Sequence, residues 1–207
     1  MMRQGLCQLI EAEPDLSVCG EAETAGNAFE AIASLKPDLV LADISLPDKN
    51  GLELIKDIQS VAPCLPVLVI SMHDESLYAE RVLRAGGRGY IMKLEGGKKL
   101  MQAIRQVLSG QIYVSEKMSA KILEIFSGRQ AEAESAPVGK LTDREFEVFQ
   151  LIGQGKSTKE IAAGLHLSAK TVEVHRINIK QKLDLKSAPE LIRYAVRWIE
   201  SGSASGR

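Results

Sequence analysis

Residues 157–183 constrain this chain more than any other stretch. Ser157, Thr158, Lys159, Glu160 and Ile161 open a short capped helix that runs into a Gly164-containing turn. Ser168 then sits where its side-chain oxygen can accept from an early N–H, which predicts a second helix from Lys170 to Leu183. Val172, Ile179 and Leu183, with His175 between, recur at three- to four-residue spacing and give one buried stripe. The other face shows Lys170, Glu173, Val174, Arg176, Ile177, Lys180 and Gln181, which mix basic, polar and small apolar side chains, and Thr171 and Lys182 are further candidate contacts. That mixture suits both phosphates and base edges in a major groove. Two helices joined this way form a helix-turn-helix, whose second helix docks in the groove. A helical hairpin with a solvated charged face satisfies the same periodicity.

The flanking sequence narrows the choice. Thr142…Glu145, Ser157…Glu160 and Ser187…Glu190 each have the spacing that lets two side chains satisfy free N–H groups reciprocally. Pro189 lies in the first turn of a last helix, where its missing N–H costs nothing. Phe146, Phe149, Ile152, Ile161, Leu191 and Trp198 are candidates for a small core. The Leu-Thr-Asp-Arg-Glu run from Leu141, Ile152-Gly153-Gln154-Gly155, Glu160-Ile161-Ala162 and Lys170-Thr171-Val172-Glu173-Val174-His175-Arg176 together resemble a LuxR-type helix-turn-helix. The resemblance implies double-stranded DNA as partner. Arg176, Lys180, Lys182 and Lys170 are then expected on phosphates, and Glu173, Val174 and Ile177 on bases.

Charge agrees with this division. Residues 1–140 carry 15 Lys+Arg against 19 Asp+Glu, a net of −4, and residues 141–207 carry 11 against 8, a net of +3. At 207 residues the chain accommodates two small domains. No apolar run approaches a membrane span, and the start has no signal-peptide segment, so a cytoplasmic location is expected. Cys7, Cys19 and Cys64 lack metal-ligand spacing and are expected as reduced, packed thiols.

The first part alternates apolar strand-like runs with amphipathic helical ones, the pattern of a parallel sheet covered by helices. Helices are expected over residues 5–13, 26–35, 51–61, 77–85, 98–108 and 115–126, and strands over 16–22, 38–43, 66–71 and 89–93. Residues 127–140 contain almost no large apolar side chain and read as a flexible linker; 201–207 read as a disordered tail. The domain limits are therefore 1–126, 127–140, 141–200 and 201–207.

Asp43, Ser71 and Lys93 each end one of the expected strands. In an open parallel sheet ligands bind outside the carboxyl ends of the strands. A carboxylate, a hydroxyl and an ammonium converging there suit phosphoryl transfer, with Asp43 as nucleophile, Ser71 as hydrogen-bond donor and Lys93 as counter-charge. Taken alone, an Asp after a strand is more often a loop starter, and a single Lys after a strand is usually solvated. Leu39-Val40-Leu41-Ala42-Asp43 with Pro47 and Asn50-Gly51, Val69-Ile70-Ser71, and Gly89-Tyr90-Ile91-Met92-Lys93 resemble a response-regulator receiver domain.

A flavodoxin-like α/β receiver joined to a small all-α LuxR-type domain is the NarL/FixJ architecture. The resemblance implies a transcription regulator and not an enzyme, with Asp43 as phospho-acceptor, Ser71 and Tyr90 as switch residues and a sensor histidine kinase as donor. It also implies a homodimer and Mg²⁺ held by Asp43 and the backbone carbonyl of Ser45. The sequence departs from the family pattern at its start, where residues 1–9 already read as the first helix. The first strand and its acidic pair are missing, so weak Mg²⁺ binding and weak phosphorylation are expected. A longer natural chain, a chain independent of phosphate and a partner-supplied strand all remain open. The alternative function is a phosphate-independent DNA binder whose degenerate receiver only dimerises. His73, His166 and His175 are not expected to cluster with Asp43.

Overall fold

The computed structural model describes residues 2–126 and 137–204, in two compact units, Met1–Leu123 and Glu124–Arg207. The first unit runs α1 (Met2–Glu11), α2 (Ala25–Leu35), β1 (Val40–Ala42), α3 (Gly51–Val61), β2 (Val67–Ser71), α4 (Glu75–Arg84), β3 (Gly89–Met92), α5 (Gly97–Leu108) and α6 (Glu116–Phe126). Side-chain caps start four of these helices, from Thr24, Asn50, Asp74 and Ser115.

The sheet is parallel, in the order β1-β2-β3. Val40 pairs with Val67, and Leu68 with Gly89. All five β2 residues are buried, as a central strand between two helical layers requires. One layer of the core joins Leu68, Ile70 and Ile91 to Leu100, Met101, Ile104 and Val107 of α5.

The strand expected over 16–22 does not form. Strand pairing needs a neighbour that accepts and donates along the whole edge, and β1 has none on its outer side among the described residues. Instead Leu16 packs on the α5 core, and the Val18 N–H donates to Glu11 at 2.7 Å. The cysteines are free as expected but not packed. Cys19 and Cys64 are exposed and Cys7 is half-buried.

The second unit contains α7 (Asp143–Gly153), α8 (Thr158–Gly164), α9 (Ala169–Lys182) and α10 (Ala188–Ala204). Reciprocal capping forms at Thr142/Glu145 and Ser157/Glu160. At α10 the Glu190 carboxylate accepts from the Lys186 N–H, one residue earlier than the expected partner, while the Glu190 N–H donates to Ser187. Trp198 meets Phe146 and Phe149 edge-on at ring-centroid distances of 5.5 and 5.6 Å, closing α10 onto α7. Residues 137–140, expected in the linker, form a 3₁₀ turn with Val138 buried. α10 extends into the expected tail as far as Ala204. The rest of the linker, 127–136, and 205–207 lie outside the described residues.

Candidate functional site

Sheet register assembles the first site. Ala42 pairs with Val69 and Ser71 with Met92, so Asp43, Ser71 and Lys93 emerge together at the carboxyl ends of three adjacent strands. Lys93 Nζ lies 2.5 Å from Asp43 Oδ2, with the Lys93 side chain 12% and the Asp43 side chain 28% exposed. Asp43 Oδ1 accepts from the Ser45 N–H at 3.2 Å. The carboxylate is thus pinned by one cation and one backbone donor while part of it faces solvent, as a nucleophile requires. Ser71 is fully buried and its hydroxyl oxygen accepts from the His73 N–H at 3.2 Å.

The loop after Asp43 is held by close packing at Asn50 and Gly51. The Asn50 side chain accepts from the Leu52 N–H at 2.7 Å to start α3. A Cβ on Gly51 would stand 2.2 Å from the Asp43 carbonyl oxygen. Only glycine lets the start of α3 lie against that backbone. Asp48, farther along the loop, accepts from the Ala25 and Gly26 N–H groups and ties it to α2.

Tyr90 is buried, and its hydroxyl donates to the His73 carbonyl at 2.8 Å. Burial pushes its phenol above the ordinary pKa, so the neutral form makes that bond. His73 corrects one expectation, for it does join the Asp43 neighbourhood. Its Nε2 lies 3.1 Å from Ser45 Oγ and its ring 4.8 Å from that of Tyr78. Burial lowers its pKa, opposed by Asp43 and aided by Lys93. The sequence signal was its position two residues beyond Ser71, which stays hidden until β2 is set beside β1.

The same geometry tests the expected metal. Among the described residues no three His, Cys, Asp or Glu side chains are grouped to hold an ion. Lys93 already occupies one Asp43 oxygen, and no second and third carboxylate, His or Cys group with it among the described residues. These residues do not fit a resident Mg²⁺ site, which needs carboxylates and open octahedral positions.

The second site is α9. The Ser168 hydroxyl oxygen accepts from the Thr171 N–H at 3.0 Å and bonds the Thr171 hydroxyl at 2.7 Å, so Thr171 belongs to the helix cap. The αL residue in the turn before it is His166, at φ 52°, and not Gly164. Val172 and Ile179 are buried, and Lys170, Glu173, Val174, Ile177 and Gln181 share one exposed face. Val174 and Ile177 are each 48% exposed. Lys180 is half-buried. Two expected phosphate contacts lie elsewhere. Lys182 pairs with buried Glu145 of α7 at 2.6 Å, and Arg176 is only 13% exposed, 3.7 Å from Glu173. Both belong to helix faces that the one-dimensional pattern merged with the exposed one.

Known proteins match both units. A family model described as a response regulator receiver domain matches residues 1–105, and one described as bacterial regulatory proteins, luxR family, matches residues 139–195. The oxygen regulatory protein NreC of Staphylococcus carnosus (strain TM300) is 34% identical over 201 residues, which cover 95% of this chain and 93% of that protein. A LuxR-family two-component response regulator from Aurantimonas sp. SI85-9A1 has a similar structure, with 32% identity, TM-score 0.56, and coverage of 61% of this chain and 90% of that one. RcsB from Salmonella enterica serovar Typhimurium, solved bound to promoter rprA in the presence of phosphomimetic BeF₃⁻, shares the fold. Its TM-score is 0.60 at 24% identity, covering 93% of this chain and 92% of that one.

Proposed function

The chain belongs to the two-component response regulators that join a receiver domain to a LuxR-type DNA-binding domain, and from that premise we propose that Asp43 is its phospho-acceptor and α9 its DNA-reading helix. The observation that carries the first assignment is the 2.5 Å pair between Asp43 and Lys93 at the strand ends, beside buried Ser71. A carboxylate oxygen of Asp43 attacks phosphorus as the P–N bond of a sensor kinase's phosphohistidine breaks. Lys93 then follows the charge from the carboxylate to the phosphoryl oxygens, and the Ser71 hydroxyl donates to another of them. Leaving its acceptor role toward the His73 N–H, Ser71 couples the site to the His73 carbonyl, to which Tyr90 is bonded. Ser71 and Tyr90 thereby reorganise the α4 face and shift a population toward a DNA-binding homodimer.

Receiver domains generally use Mg²⁺. The described residues do not fit it, so we propose that this chain holds it weakly or not at all, and the steps above rest on its own residues. No helix among the described residues is long and apolar enough to cross a membrane. We place the protein in the cytoplasm with double-stranded DNA and a sensor histidine kinase as partners. We take its domain limits as 1–126 and 141–200, as read from the sequence, with residues 137–140 and 201–204 joining the second domain through the 3₁₀ turn and the end of α10.

Incubation with a small phosphodonor and Mg²⁺, followed by intact-mass analysis, tests the acceptor. A single phosphoryl adduct absent from Asp43→Ala supports it. An adduct that persists in Asp43→Ala, or none on folded protein, rejects it. The lack of a metal-holding group around Asp43 among the described residues also favours a second reading, in which the receiver dimerises without phosphate. Dimerisation that ignores beryllofluoride with Mg²⁺ supports that one.

A further inference from the structure

Thr158, in the first turn of α8, is not on the exposed face of α9, yet its hydroxyl donates to Glu173 Oε1 at 2.8 Å. Arg176 Nε lies 3.7 Å from the same oxygen. Both contacts fall on Oε1, and Oε2 makes no hydrogen bond among the described residues. The Glu173 side chain is 55% exposed, and Val174 and Ile177 flank it on the same face. A long, exposed side chain ordinarily samples many rotamers and ordering it costs free energy. Here a neutral donor from α8 and a guanidinium from α9 itself hold it in place before any ligand arrives.

We infer that Thr158 is a specificity-positioning residue, whose hydroxyl fixes the Glu173 carboxylate so that Oε2 accepts from the N4 amino group of one cytosine per half-site in the major groove. The inference deepens the assignment of α9 as the DNA-reading helix and rests on it. An ionised carboxylate only accepts hydrogen bonds. In the major groove the exposed amino donors are cytosine N4 and adenine N6. Adenine sets the N7 lone pair beside its donor, facing the carboxylate, whereas cytosine sets a C5–H there. Guanine and thymine present acceptors, which repel Glu173 outright. Val174 and Ile177 keep water from the contact, and each can meet a thymine methyl at a neighbouring step. Without Thr158 the carboxylate is repelled by the phosphates and swings to solvent, and the selectivity for cytosine is lost while the phosphate contacts stay.

The test is selection of bound duplexes from a randomised pool by the full chain, with Kd values for the selected duplex and for versions changed at one base pair. The wild type is expected to fix a C·G pair at one position of each half-site. Thr158→Val, which keeps the shape and removes the hydroxyl, is expected to cut the preference at that position about tenfold and leave the others unchanged, within the range of one base contact. Thr158→Ser is expected to retain the preference within about twofold, and Glu173→Gln to move it toward adenine, whose N6/N7 edge a carboxamide matches. Helix content and thermal midpoint identify any variant that misfolds, and the serine variant then decides. A Thr158→Val protein that selects the same sequence as wild type, or that weakens on all sequences with a shallower salt dependence, overturns the inference. If Glu173→Ala alters the selected sequence while Thr158→Val does not, the reading helix stands and Thr158 falls. If neither Glu173→Ala nor Val174→Ala alters it, the assignment of α9 falls as well.

Discussion

Lys182 Nζ, in the last turn of α9, lies 2.6 Å from Glu145 Oε2, in the first turn of α7. The same carboxylate oxygen accepts from the Thr142 N–H at 2.8 Å, so one atom joins a helix cap to an interhelical ion pair. Glu145 is 5% exposed at its side chain and Lys182 35%. Burial raises the Glu145 pKa, but the Lys182 and Thr142 bonds more than offset this and the net shift is downward. Glu145 therefore remains ionised.

Lys182→Ala is expected to act on stability and not on DNA affinity. It strands a buried carboxylate, which for a fully buried pair costs about 3–5 kcal/mol. The exposure of Lys182 to solvent lowers the expectation to about 1–3 kcal/mol. Denaturant midpoints measure it. A salt slope of DNA binding that falls by about one phosphate contact would instead return Lys182 to the DNA face.

Lys180→Ala has the opposite profile. Lys180 has no ion pair among the described residues, and its ammonium is available to a phosphate. Binding to every sequence should weaken and the slope of log K against log salt should shrink by about 0.9. Val174→Ala should change which sequence is chosen. An unchanged slope in the Lys180 variant removes that residue from the phosphate contacts.

Gly51→Ala tests the close packing under Asp43. The added methyl carbon meets backbone and not a flexible side chain, with Asp43 O at 2.2 Å and Ile44 Cα at 2.8 Å. Overpacking of this kind costs about 1–3 kcal/mol, and a clash with backbone belongs at the upper end. Calorimetry should show a lower midpoint, and phosphodonor labelling of Asp43 should slow in step with the displaced loop. A wild-type midpoint would mean that α3 moves away freely.

His175 gives the second unit a pH dependence. Burial lowers its pKa below the ordinary 6.5, Glu145 raises it and Arg144 lowers it further. Its Nδ1 is buried without a hydrogen-bond partner among the described residues. The unfolded chain binds the proton first, so stability is full above about pH 6.5 and is lost as pH falls below it. The slope reaches at most about 1.4 kcal/mol per pH unit for one such group. Glu145, whose pKa is lowered, adds a separate loss below about pH 4.5. His175→Gln should flatten the stability curve between pH 7 and 5 and leave the lower limb intact. An unflattened upper limb would assign that dependence to other histidines.

Local rules read directly from the chain located the capped helices, the apolar strand Val40–Ala42, the buried stripe of α9 and the strand-end positions of Asp43, Ser71 and Lys93. Such features follow from periodicity, capping chemistry and short-range propensity, which a linear sequence carries in full. Which residues of α9 face solvent was settled only by tertiary packing. Lys182 and Arg176 look like DNA ligands in one dimension, but α7 and Glu173 claim them in three. His73 and Thr158 acquire roles for the same reason, since their partners lie 28 and 15 residues away. The segment 16–22 has strand-like residues and no strand, because a β-ladder belongs to a pair of segments and not to either one.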